Sequence, residues 1–163
     1  MNRRGKPKNP KSCHERALGL LAVRPRSRRE LERRLLAARF EAEEVEDVLV
    51  RLERVGLVDD DAFARQYAEQ RFGSRKEGSR AVAQGLRAAG IAPSLAEAVS
   101  QEAPEDEEVR AGDLARSRAS RLVGVAPEKA FARLSSLLMR RGYGPEMARS
   151  AARKALEIPF RDD

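Results

Sequence analysis

The chain has 163 residues and carries 33 basic against 26 acidic side chains, a formal charge of +7. Its 26 Ala and 17 Leu outweigh 11 Val, 2 Ile and no Thr, which favours helix and argues against an all-β or parallel α/β fold. No apolar run approaches 18 residues, the N-terminus lacks the apolar core of a signal peptide, and a single Cys leaves no intrachain disulfide framework, pointing to the cytosol. The basic excess permits a nucleic-acid or acidic-protein partner without requiring one.

The first twelve residues, MNRRGKPKNPKS, hold five positive charges, two prolines and no acid, and read as a disordered basic arm. A helix is expected over Cys13–Val23. His14 and Cys13, each the only residue of its type, point about 100° apart on that helix and cannot form a nucleophile–base pair. Ser27-x-x-Glu30 has the form of a capping box. After it, Leu31, Leu35, Phe40 and Val45 begin a pattern of apolar-x3-Leu-x4-apolar, closed by one more apolar residue. Shifted by 51 residues the pattern returns as Val82, Leu86, Ile91 and Leu95. Shifted by a further 52 it returns as Leu134, Leu138, Tyr143 and Met147.

The spacing has a physical meaning. The first two apolar residues lie one helical turn apart, and the third follows a helix stop. The stop is Gly90 in the second copy and Gly142 in the third, each where a Schellman cap places its left-handed residue; Leu52, Gly56 and Leu57 fit the same arithmetic. Arg39 holds this position in the first copy, at a conformational cost of roughly 1 kcal/mol. Pro93, Pro127 and Pro145 stand at first-turn positions of following helices, and Ser79 is preferred over Ser74 as the start of the second copy's middle helix. Leading helices are expected at Cys13–Val23, Asp60–Gly73 and Glu105–Val123. In GLVDDDAFA, Leu57 and Val58 turn into the core, Asp59 caps the next helix with Asp60 and Asp61 near its positive end, and Phe63 and Tyr67 begin its buried face.

The expected architecture is all-α: three tandem three-helix repeats at 13–58, 59–103 and 104–158, forming an elongated, curved molecule, with a basic arm at 1–12 and a tail at 159–163. The acidic stretch EAPEDEEVRAGD reads as a helix start, because three sequence neighbours cannot converge on one metal ion from a helix. There is no phosphate-binding loop, no dinucleotide fingerprint and no zinc spacing, so neither a cofactor nor a catalytic residue is expected. The remaining candidates are arginine-rich faces: Arg28, Arg29, Arg33 and Arg34 in the first repeat; Arg75, Lys76 and Arg80, with Arg87, in the second; Arg116, Arg133, Arg140 and Arg141, with Arg118, Arg149 and Arg153, in the third.

SRRELERRLLAARF (27–40), VLVRLERVGLVDDDAFARQYAEQR (48–71), GLRAAGIAPSLAEAV (85–99) and LLMRRGYGPEMARSA (137–151) together resemble the RecX family, regulators of the bacterial recombinase RecA. The resemblance runs from about Arg16 to Leu156. It departs at Arg39, where a Gly is common, and over Glu102–Asp113. It implies a non-enzymatic, curved helical protein that lies along the RecA–DNA filament and restrains ATP hydrolysis, strand exchange and co-protease activity. Beside the resemblance, the expected protein is a cytoplasmic monomer whose DNA contact is weak and largely non-specific. A helical module acting directly on DNA is the alternative.

Overall fold

The computed structural model describes residues 11–157, and these form nine α-helices, one 3-10 turn and no strand. In chain order the helices are α1 (Cys13–Val23), α2 (Arg28–Ala37), α3 (Ala42–Arg54), α4 (Asp60–Gly73), α5 (Ser79–Ala88), α6 (Pro93–Ser100), α7 (Glu107–Ala119), α8 (Pro127–Arg140) and α9 (Pro145–Leu156). The expected arm, apart from residues 11 and 12, and the tail at 159–163 lie outside the described residues.

Local chemistry starts and stops these helices much as the sequence suggests. Pro93, Pro127 and Pro145 open α6, α8 and α9, where the missing N–H costs nothing. Asp59 caps α4 through its carboxylate, 3.0 Å from the Ala62 N–H. The backbone is left-handed at Arg39 (φ 66°), Gly56 (75°), Gly90 (91°) and Gly142 (93°). At three of these stops the next N–H reaches back to the carbonyl five residues earlier, as a Schellman cap requires: Phe40 to Leu35, Leu57 to Leu52 and Tyr143 to Leu138.

Four expectations need correction. The Ser27 hydroxyl accepts from the Glu30 N–H at 3.1 Å, but the Glu30 carboxylate does not complete a capping box, because three arginines hold it instead. A complete box forms one helix earlier, between Ser12 and Glu15. Leu57 makes the cap bond yet its side chain is 55% exposed; Val58, whose N–H shares the same carbonyl, is buried in its place. The buried stripe of α4 is Ala64, Ala68 and Phe72, with Phe63 and Tyr67 half-buried. Tyr67 lies over Gly85, where any Cβ would collide with its ring. Finally, α7 is shorter than Glu105–Val123: Asp106 caps it, and a 3-10 turn at Ser120–Leu122 follows it.

The chain divides into two compact units. One contains α1–α3, the start of α4 to Phe63, and Ala89–Ile91; the other contains Ala64–Ala88 and the described residues from Ala92 onward. The first unit's core joins Cys13, Ala17, Leu31, Leu35, Val45, Leu49, Leu52 and Val58. The second contains a core of Ala111, Leu114, Leu134, Leu138, Tyr143 and Ala148.

One joint occurs in each unit, built from equivalent positions of the repeat. In the first, the Ser27 hydroxyl donates to the Ala89 carbonyl, and the N–H of Arg28, first residue of α2, donates to Asp60 Oδ1 at 2.8 Å. In the second, the Gly78 N–H donates to the Arg141 carbonyl at 2.8 Å, and the N–H of Ser79, first residue of α5, donates to Glu107 Oε1 at 2.8 Å. Both times, the start of a middle helix is satisfied from outside. A carboxylate at the head of the next leading helix takes one N–H, and the end of the next middle helix supplies a carbonyl. Helix starts carry unpaired N–H groups and partial positive charge, so a carboxylate there stabilises the joint as well as the helix. The same joint brings Gly90 against Arg29 and Gly142 against Ala81: a Cβ on either glycine would sit 2.7 Å from the Arg29 Cβ or 2.5 Å from the Ala81 Cβ.

Candidate functional site

The structure divides the eleven candidate cations into those with acidic partners and those without. Arg28 reaches Glu46 at 2.7 Å and Glu53 at 3.0 Å. Arg34 reaches Glu30 at 2.9 Å, and Arg116 reaches Asp113 at 2.6 Å. Lys76 lies 3.6 Å from Glu105 and 3.9 Å from Asp113, with a left-handed backbone (φ 50°) and a carbonyl that accepts from the Tyr143 hydroxyl at 2.5 Å. Arg141 donates to the Arg75 carbonyl at 2.8 Å, so it braces the loop before α5. Arg29 lays its aliphatic stem against Gly90. Arg33, Arg75 and Arg133 are exposed and make no ion pair with a described residue.

Arg80 and Arg140 are brought together. They line a groove of about 310 Å³ in the second unit with Ala81, Gln84, Met139, Gly142, Tyr143 and Pro145. A second groove of about 290 Å³ shares Arg80 and Gln84 and continues past Arg87 to Gln101, with Glu97 on its wall. Arg80, Gln84 and Arg87 follow one another at i, i+4 and i+7 along α5, so one helix face supplies all three. Arg80, Arg87 and Arg140 are exposed and have no ion pair among the described residues. Arg87 and Gln84 stand out only once the fold is known; their signal in the sequence is that spacing from Arg80 on a helix whose buried face is Val82, Ala83 and Leu86.

Part of the groove's lining, Gly142 and Tyr143, belongs to the joint. Burial pushes the Tyr143 phenol up to about 12, so its hydroxyl stays a donor to the Lys76 carbonyl. Behind it Arg110 is wholly buried, stacked 4.7 Å from the centre of the Phe72 ring and donating to the Glu105 carbonyl. The chemistry such a surface offers is bidentate donation to phosphate or carboxylate oxygens. Nucleophilic chemistry finds no footing in Cys13, whose thiol is pushed up to about 11 by burial and by Glu44.

Comparison with known proteins places this architecture. The model of the first three-helix domain of RecX matches residues 13–52, and that of the second matches 59–99. The regulatory protein RecX of Streptomyces coelicolor is 40% identical over 141 residues, 86% of this chain and 75% of that protein. The chain belongs to the RecX family. The regulatory protein RecX of Mycolicibacterium smegmatis is 38% identical over 150 residues, covering 86% and 79% of the two chains. Among solved structures, RecX from Lactobacillus salivarius superposes with a TM-score of 0.75 over 90% of this chain and 96% of that one, at 18% identity. A second crystal structure, of a regulatory protein RecX, gives 0.72 over 89% and 70%, at 22% identity. The shared all-helical fold therefore persists where most side chains differ.

Proposed function

We propose that this RecX-family chain binds RecA–DNA filaments and restrains their ATP hydrolysis, strand exchange and co-protease activity, acting in the cytoplasm as a non-enzymatic partner built from repeats at 13–58, 59–103 and 104–158. The observation that supports this most is the pair of grooves sharing Arg80 and Gln84, whose arginines, Arg80, Arg87 and Arg140, make no ion pair among the described residues even though Glu97 lines one of the grooves. Guanidiniums left unpaired on a fixed surface are suited to a repeating anionic polymer, where each contact adds a charge-assisted bond. The test is RecA ATPase on single-stranded DNA with the chain added to saturation. A clear fall in rate is expected; an unchanged rate overturns the reading.

A second reading, direct action on naked DNA, draws on one observation: Gln84 and Gln101, two of only four glutamines in the chain, line the same groove. Amide side chains can pair with adenine edges. That reading expects tight duplex binding that falls linearly in log affinity against log salt, together with sequence preference.

A further inference from the structure

Positive charge in the first unit is arranged differently. Glu30 is buried, and its single oxygen Oε1 accepts from three guanidiniums: Arg26 Nη1 at 2.5 Å, Arg24 Nη2 at 2.6 Å and Arg34 Nε at 2.9 Å. Arg26 is itself buried and anchored by a bond from Nε to the Leu20 carbonyl at 3.1 Å. Arg24 is steadied by a bond from Nη1 to the Pro25 carbonyl at 3.0 Å. Three cations on one anion leave this cluster with an excess of two positive charges. That excess faces solvent, because the Arg24 and Arg34 side chains are 48% and 46% exposed. Guanidiniums that repel one another are held at hydrogen-bond distance from one atom by a carboxylate that cannot neutralise them.

We propose that Arg24 and Arg34, positioned by Glu30 and Arg26, form a binding site for a phosphate group. Glu30 spreads its bonds over three guanidiniums through one oxygen, so none of them is paired fork to fork and donors of Arg24 and Arg34 stay open to a further anion. A tetrahedral phosphate carries oxygens outside any single plane. It can therefore accept from two guanidiniums that arrive from different elements, here the turn after α1 and the last turn of α2. Burial pushes the Glu30 carboxyl up, but its bonds from Arg34, Arg24 and Arg26 outweigh this and hold it below the ordinary range, so the anchor stays charged at neutral pH. Glu30 and Arg26 act through their neighbours and are positioning residues. The site lies within the first unit, is built from other residues than the grooves, and does not depend on the recombinase reading.

The experiment uses the full chain and a fluorescent thymidine oligonucleotide of about 20 nucleotides, with and without a 5′-phosphate, read by anisotropy at low salt. Arg24→Ala with Arg34→Ala is expected to weaken binding about 10-fold, whereas Arg51→Ala with Arg54→Ala, removing the same charge from exposed positions of α3, changes it less than about 2-fold. Dependence on the Arg24–Arg34 pair in both arms assigns the site to a phosphodiester; dependence in the phosphorylated arm alone assigns it to a terminal phosphate. Glu30→Gln raises the net charge by one yet is expected to weaken binding, with helicity checked by circular dichroism. Equal losses from the two arginine pairs, tighter binding by a folded Glu30→Gln variant, or displacement of the oligonucleotide by polyglutamate as readily as by inorganic phosphate would each overturn the proposal.

Discussion

The helix stops at Arg39 and Gly142 share a left-handed backbone and occupy equivalent positions of the repeat, yet one is the longest of basic side chains and the other has no side chain at all. Their surroundings explain the difference. Arg39 is exposed, and its stop supports no joint of the kind seen at the other two. Gly142 lies against the start of α5, where a Cβ would come 2.5 Å from both the backbone N and the Cβ of Ala81. The backbone conformation alone is affordable to an arginine at roughly 1 kcal/mol. Close approach of one helix end to the start of another is what demands glycine, and a missing glycine marks a stop that bears no such neighbour.

This contrast can be broken in stages. Gly142→Ala adds a left-handed alanine and a collision with backbone, so we expect a loss of about 3 kcal/mol in urea unfolding. Gly90→Ala meets the Arg29 Cβ at 2.7 Å and two outer stem atoms that can swing away, but no backbone atom among its nearest three, and is expected to cost less, about 2 kcal/mol. Equal and small effects at both would dissolve the distinction between conformation and contact. Asp60→Ala and Glu107→Ala each remove the carboxylate that satisfies a helix start across a joint. Each should lower stability by about 1 kcal/mol, and similar values would show that the two joints are energetically one device. Arg39→Gly relieves the strained residue without disturbing a neighbour and is expected to raise the melting temperature, by about 0.5–1 kcal/mol of stability. A fall would contradict the account of that stop.

Acid titration probes the anchor of the arginine cluster. Glu30 has its folded-state pKa held down, so its contribution is present above the unfolded value near ~4.3 and is lost as pH falls through the lower folded value. Melting temperature should therefore decline below about pH 4 more steeply in the natural chain than in Glu30→Gln.

Much of this fold is legible from spacing. The start and end of α1 and α4, the prolines of α6, α8 and α9, and the left-handed stops at Arg39, Gly56, Gly90 and Gly142 follow from capping and helical periodicity, because these are local rules. What failed was decided by partners distant in sequence or by competition. The Ser27–Glu30 box has the right letters, but Arg24, Arg26 and Arg34 bind the carboxylate more strongly than a backbone N–H does. Leu57 has the right position for a hydrophobic cap, but Val58 fills the space. The site was less legible still. Composition singles out arginines without saying which have acids beside them, and that depends on Glu46, Glu53 and Asp113 arriving from other turns or helices. Arg80 and Arg140 lie 60 residues apart in sequence and meet only because the second joint seats Gly142 on the head of α5.

That joint ties the fold to the proposed function, since the residue it places, Gly142, also lines the groove with both arginines. The most direct test is the concentration of protein needed to halve RecA ATPase on single-stranded DNA, measured for the natural chain, for Arg80→Ala with Arg140→Ala, and for the charge-matched Arg51→Ala with Arg54→Ala. The account predicts a rise of about 10-fold for the groove pair and less than about 2-fold for the α3 pair. Equal shifts, or none for the groove pair, would contradict it.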